Sequence, residues 1–97
     1  MTTYTSGATA KFTFEFFVEG SDTILEDQDS VKFYFISVAG GEIIYESNSL
    51  TKISTGTYVI YYTMPFEPLG QRKTYRYKVI GLKDSVQTVK TERFYVE

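Results

Sequence analysis

The chain contains no cysteine, no histidine and no tryptophan, and only 3 alanines and 4 leucines in 97 residues. Each shortage excludes something. Without cysteine there is no disulfide, no thiolate metal site and no cysteine nucleophile. Without histidine the commonest acid–base group and the commonest zinc ligand are missing. With so few strong helix formers, an all-α fold is excluded. The net charge of −2 argues against nucleic acid as the main partner. No apolar stretch approaches the roughly 20 residues of a membrane-spanning helix. Residues 1–10 lack the basic start and apolar core of a secretory signal, so the expectation is a small protein made in a cytoplasm.

What is abundant is strand-forming. Val, Ile, Thr, Phe and Tyr make up 45 of the 97 residues, and β-branched and aromatic side chains suit a pleated, half-buried surface. Residues 1–9 are small and polar and predict an extended arm or weak first strand; residues 10–97 predict one domain. Residues 10–19 alternate, with Phe12, Phe14, Phe16 and Val18 on one face and Lys11, Thr13, Glu15 and Phe17 on the other. An acidic connection follows at 23–29, where Ile24 or Leu25 is expected to plug the end of the core. Further strands are predicted at 30–38, 42–47, 50–54, 57–64, 73–81 and 86–96, separated by turns at Gly40-Gly41, Asn48-Ser49, Ser54-Thr55-Gly56 and Lys83-Asp84-Ser85. Inward positions are Val31, Phe33 and Phe35, then Tyr58, Ile60, Tyr62 and Met64, then Tyr75, Tyr77 and Val79. Pro65 and Pro68 are expected to bracket a loop, since neither suits a central strand. About seven strands and no helix-period segment predict an all-β chain of two antiparallel sheets packed face to face.

Charge is distributed unevenly. Six acids and no base lie between Phe12 and Val31, whereas seven bases and two acids lie between Gln71 and Arg93. This polarity fits solvated surfaces or cross-strand ion pairs, and it also fits head-to-tail contact between copies or docking on a charged scaffold.

The segment Leu50-Thr-Lys-Ile-Ser-Thr-Gly-Thr-Tyr-Val-Ile-Tyr-Tyr-Thr-Met-Pro65 is distinctive, followed by Tyr75-Arg-Tyr-Lys-Val-Ile-Gly81 and Glu92-Arg-Phe-Tyr-Val96. Together with the acidic link Glu26-Asp-Gln-Asp-Ser-Val31, these stretches resemble the immunoglobulin-like sandwich modules of bacterial surface proteins, macroglobulin-type repeats and tailed-phage virion proteins. The link lacks the proline that usually follows its first Asp. The resemblance covers roughly residues 10–97 and implies an immunoglobulin-like sandwich; it says little about function, because such folds host many tasks. In the Thr55-Gly56-Thr57-Tyr58 motif, Gly56 is expected to supply a positive φ at a tight corner. The Tyr58 hydroxyl is expected to satisfy a backbone group there, as a tyrosine corner does.

No catalytic residues are expected. The eight serines and seven lysines stand in no signature context. Glu26-Asp27-Gln28-Asp29 offers oxygen ligands for calcium but has no EF-hand pattern, so a solvated loop is the simpler reading, and no metal or cofactor is assigned. The aromatics invite a different function. With the parity above, Phe17, Tyr34, Ile36, Ile44, Val59, Tyr61, Ile80 and Tyr95 fall on outer faces. Either a bulge or a wrong parity hides some of them, or long Lys, Arg and Glu stems cover them, or they form a contact surface. The candidate interface is Tyr34, Ile36, Val59, Tyr61 and Tyr95 with the basic residues Arg72, Arg76 and Lys78. The leading expectation is a non-enzymatic virion structural protein, made in a host cytoplasm. A capsid decoration protein is placed ahead of a tail, baseplate or fibre component, with other virion proteins and copies of itself as partners and no nucleic acid or membrane. The alternative is an adhesion module binding a cell-surface carbohydrate or receptor. The lack of Trp and the single Asn weaken the sugar-binding version.

Overall fold

The computed structural model describes residues 1–67 and 71–97. Pro68 lies outside these, so the loop expected between the two prolines is seen only from the Pro65 side. No helix occurs among the described residues. The described residues form eight strands: β1 (Thr3–Tyr4), β2 (Thr9–Glu15), β3 (Ser30–Ser37), β4 (Ile43–Ser47), β5 (Thr51–Ser54), β6 (Thr57–Thr63), β7 (Lys73–Lys83) and β8 (Val86–Val96). They make a five-stranded sheet ordered β1-β8-β7-β3-β4 and a three-stranded sheet ordered β2-β6-β5. All pairings are antiparallel except β1 with β8.

Side-chain alternation explains how the sheets meet. Phe12 and Phe14 of β2, and Tyr58 and Ile60 of β6, face Val31, Phe33 and Phe35 of β3, Tyr75 and Val79 of β7, and Phe94 and Val96 of β8. These side chains form one core shared by both sheets. It is built from rings: Phe12 lies within 5.6–6.0 Å of Phe33, Tyr77 and Phe94, in tilted or edge-on arrangements. Each buried aromatic contributes about 1.5–3 kcal/mol by leaving water, and ring pairs add about 0.5–1.5 kcal/mol. The two-residue turn Asp84–Ser85 has φ of 50° and 66°, the left-handed pair that matches strand twist in a tight hairpin. It sets the long β7–β8 register, from Lys83 opposite Val86 to Lys73 opposite Val96.

Four expectations change in detail. β2 ends at Glu15 rather than running to residue 19; Phe16 stays inside, and Phe17 instead bridges Leu25. Neither expected plug joins the core: Leu25 is half-buried in its bridge to Phe17, and Ile24 is 61% exposed. The bulge in the β3–β4 pairing puts its extra residue, Ile44, on β4 while β3 keeps its register with β7, so Ile36 faces outward as expected but is buried there, between Ile43 and Arg76. Finally, β6 is buried on both faces from Thr57 to Ile60. It is the middle strand of a narrow sheet, and Val59 stands in register between Thr13 and Thr51.

Candidate interaction surface

One end of the molecule is closed by a corner of backbone contacts. Gly56 has φ of 66°. A Cβ there would come within 2.7–2.9 Å of backbone atoms of Phe16 and Glu26, so only glycine fits. Its N–H donates to Asp27 Oδ1 at 2.7 Å, and Lys52 Nζ donates to Asp27 Oδ2 at 2.6 Å. The Lys52 hydrogen bond, aided by the Gly56 N–H, holds the Asp27 carboxyl below the ordinary carboxylate range. The Gln28 N–H donates to the Tyr58 hydroxyl at 2.9 Å, so Tyr58 ties the acidic link to the three-stranded sheet. Asp29 accepts from the Asp84 N–H at 3.0 Å and lies 3.9 Å from Lys83. Asp27 and Asp29, two of the calcium candidates, are thus directed at protein donors. Among the described residues no three His, Cys, Asp or Glu side chains gather about a point.

Seven of the eight interface candidates lie in strands, divided between the two sheets, and Arg72 immediately precedes β7. Val59 and Tyr61 belong to the three-stranded sheet. Val59 is only 3% exposed and offers no contact surface. Tyr61 is 64% exposed but stands beside Lys11 on that sheet's outer face, away from the other candidates. Ile36 is 5% exposed, flanked in register by Ile43 and Arg76, and lines a shallow depression with Tyr34, Ile43 and Lys78. The parity-based surface thus loses Ile36 and Val59 as exposed groups. Of the other outward-parity residues, Phe17 and Ile80 are half-buried and Ile44 is exposed.

Five candidates share the five-stranded sheet. Tyr34 of β3 lies opposite Lys78 of β7, and Ile36 lies opposite Arg76. Tyr95 stands on β8, with the Arg72 guanidinium 4.5 Å from its ring centre. Arg72 also donates to Glu97 Oε2 at 3.1 Å. Lys32 pairs with Glu46 at 3.8 Å and lies 5.3 Å from the Tyr34 ring. Arg93, absent from the sequence-based candidates, belongs here: it is directly opposite Arg76. The sequence carries a signal for it, because a two-residue turn at 84–85 pairs Arg76 with Arg93 by counting back along both strands.

Like charges directly opposite on neighbouring strands destabilise one another. Among the described residues no carboxylate lies within 4.0 Å of Arg76, Arg93 or Lys78, and the enclosed Nε of Arg76 has no hydrogen-bond partner. The face is therefore a cationic patch between two half-exposed tyrosines. It can hold an acidic surface but contains no nucleophile–base pair. Tyr77, on the inner side of the same strand, donates to Glu92 at 2.9 Å, and burial together with this bond raises its pKa.

Compared with known proteins, the chain matches no family model, no curated protein and no solved structure.

Proposed function

We propose that the chain is a non-catalytic, immunoglobulin-like module that fastens to a larger protein particle through the outer face of its five-stranded sheet. The observation that carries this reading is the unneutralised Arg76–Arg93 pair with Lys78, bracketed by Tyr34 and Tyr95. Tyrosine and arginine are the residues enriched in protein interfaces, and a like-charged pair is relieved when an acidic partner covers it. The sheet orders support the immunoglobulin-like part. β8-β7-β3-β4 over β2-β6-β5 corresponds to the G-F-C-C′ and B-E-D strands of that sandwich. The particle we favour is a tailed-phage virion, with the chain as capsid decoration; this step rests on the sequence resemblance over residues 10–97.

Two measurements test the reading. Mass spectrometry of purified virions from the encoding phage or prophage should detect the chain in stoichiometric amounts; its absence rejects the virion assignment. Co-sedimentation with particles should fall at least tenfold for the folded Arg76→Glu/Arg93→Glu variant. Undiminished binding by that variant removes this face from the contact.

A further inference from the structure

The three-stranded sheet has an open strand edge at β2. We infer that this edge pairs with the β2 of a second copy, making a two-fold dimer with one continuous six-stranded sheet. This inference is independent of the proposed function, which uses the other sheet.

The hydrogen-bond pattern identifies which groups are open. Phe16 N–H donates to Gly56 C=O at 2.9 Å and Met64 N–H donates to Ala8 C=O at 2.9 Å, so even-numbered residues of this strand bond toward β6. The odd pairs are the non-hydrogen-bonded ones, as the 2.9 Å contact between the Thr9 and Thr63 hydroxyls also indicates. The N–H and C=O groups of Thr9, Lys11, Thr13 and Glu15 therefore point away from the sheet. These four residues are exposed, and among the described residues no strand pairs with β2 on that side.

The other edges are blunted by their shape, whereas the only such device on β2 is the charge of Lys11. β5 has four residues and an irregular register, and β4 has the bulge opposite Phe35 and Ile36. β1 covers one end of β8. Along the uncovered part of β8, Lys90 and Glu92 occupy inward positions opposite Val79 and Tyr77. Charges pointing inward, bulges and short strands are the usual protections against edge pairing. β2 has seven residues, regular register, no proline, and Phe12 and Phe14 inward.

Its sequence is complementary to itself. In an antiparallel pairing centred on Thr13, Lys11 of each copy stands opposite Glu15 of the other, and the two Thr13 residues meet on the axis. Only odd residues meet across this ladder's hydrogen-bonded positions, as their outward groups require. Three residues per copy make about six N–H···O=C bonds by the antiparallel rule. Two opposite-charge pairs and one Thr–Thr pair, all on the outer face, are favourable cross-strand neighbours. The contact is isologous, so it closes as a dimer instead of growing into a filament.

Sedimentation equilibrium of the whole chain tests this. The wild-type should be dimeric at tens of micromolar. Thr13→Pro removes only an outward N–H, which an edge strand tolerates, and should yield a folded monomer. Lys11→Glu should weaken the dimer at least tenfold, and Lys11→Glu/Glu15→Lys should restore it, because the two charges exchange places across the axis. The charge pair keeps the test decisive even if Thr13→Pro does not fold. A wild-type monomer at all concentrations overturns the inference. So does a dimer insensitive to Lys11→Glu, or one lost in Arg76→Glu with Lys11→Glu unaffected.

Discussion

The two sheets treat their outer faces differently. In the three-stranded sheet the middle strand, β6, is buried on both sides from Thr57 to Ile60. In the five-stranded sheet the middle strand, β7, alternates buried Tyr75 and Val79 with half-buried Arg76, Lys78 and Ile80. Val59 is flanked in register by the β-branched Thr13 and Thr51, whereas Arg76 is flanked by Ile36 and a second arginine. Alternation says which way a side chain points. The chemistry of its cross-strand neighbours decides whether that side is dry. The narrow sheet is sealed around β6 and open along the β2 edge; the wide sheet is open on its face.

Putting one lysine on each face breaks this comparison most strongly. Val59→Lys forces an ammonium into a closed position and should cost about 3 kcal/mol or more in denaturant unfolding. Val89→Lys, on the half-exposed outer side of β8, should stay within about 0.5 kcal/mol. Equal losses would mean the two outer faces are equally dry. Next in size is Tyr58→Phe. It leaves the Gln28 N–H without its acceptor in a partly buried corner and should cost about 1–2 kcal/mol. Tyr77→Phe should cost less, since its Glu92 partner is exposed. A larger loss for Tyr77→Phe would move the sensitive corner to the wide sheet.

The smallest effect is a change of slope with pH. Folding lowers the pKa of Asp27, chiefly through Lys52 and then through the Gly56 N–H. The unfolded chain therefore takes up this proton at higher pH than the folded one. The resulting stabilisation is complete above the ordinary Asp pKa of about 3.9 and is lost as pH falls through the lower folded value. Stability of Asp27→Asn should consequently fall less steeply below about pH 4 than that of the wild-type. Identical acid limbs would show that Asp27 contributes nothing to this linkage.

Much of the fold is legible from spacing. The alternation of Phe12, Phe14 and Phe16, of Val31, Phe33 and Phe35, and of Tyr75, Tyr77 and Val79 is enough to identify the inner sides of three strands. The interaction surface is legible only in pieces. Tyr34, Tyr95, Arg76 and Lys78 lie on one sheet, with Arg72 against Tyr95, but no periodicity within single strands reveals that Tyr61 belongs to the other. Parity sets Ile36 correctly on the outer face beside Tyr34 and Lys78, but does not reveal that it is buried there between Ile43 and Arg76. Arg93 escapes a strand-by-strand reading because its partner is a cross-strand neighbour, although the hairpin register makes it calculable.

The sequence by itself determined the all-β class, the strand positions and the inward residues, because β-branched and aromatic alternation and the Gly and Asp-Ser turns act over a few residues. Tertiary structure alone decided which strands share a sheet, which outward residues are covered, and which edge is left open. Those depend on pairings between residues far apart in the chain, where the cross-strand neighbours of a residue and the width of a sheet change what meets water.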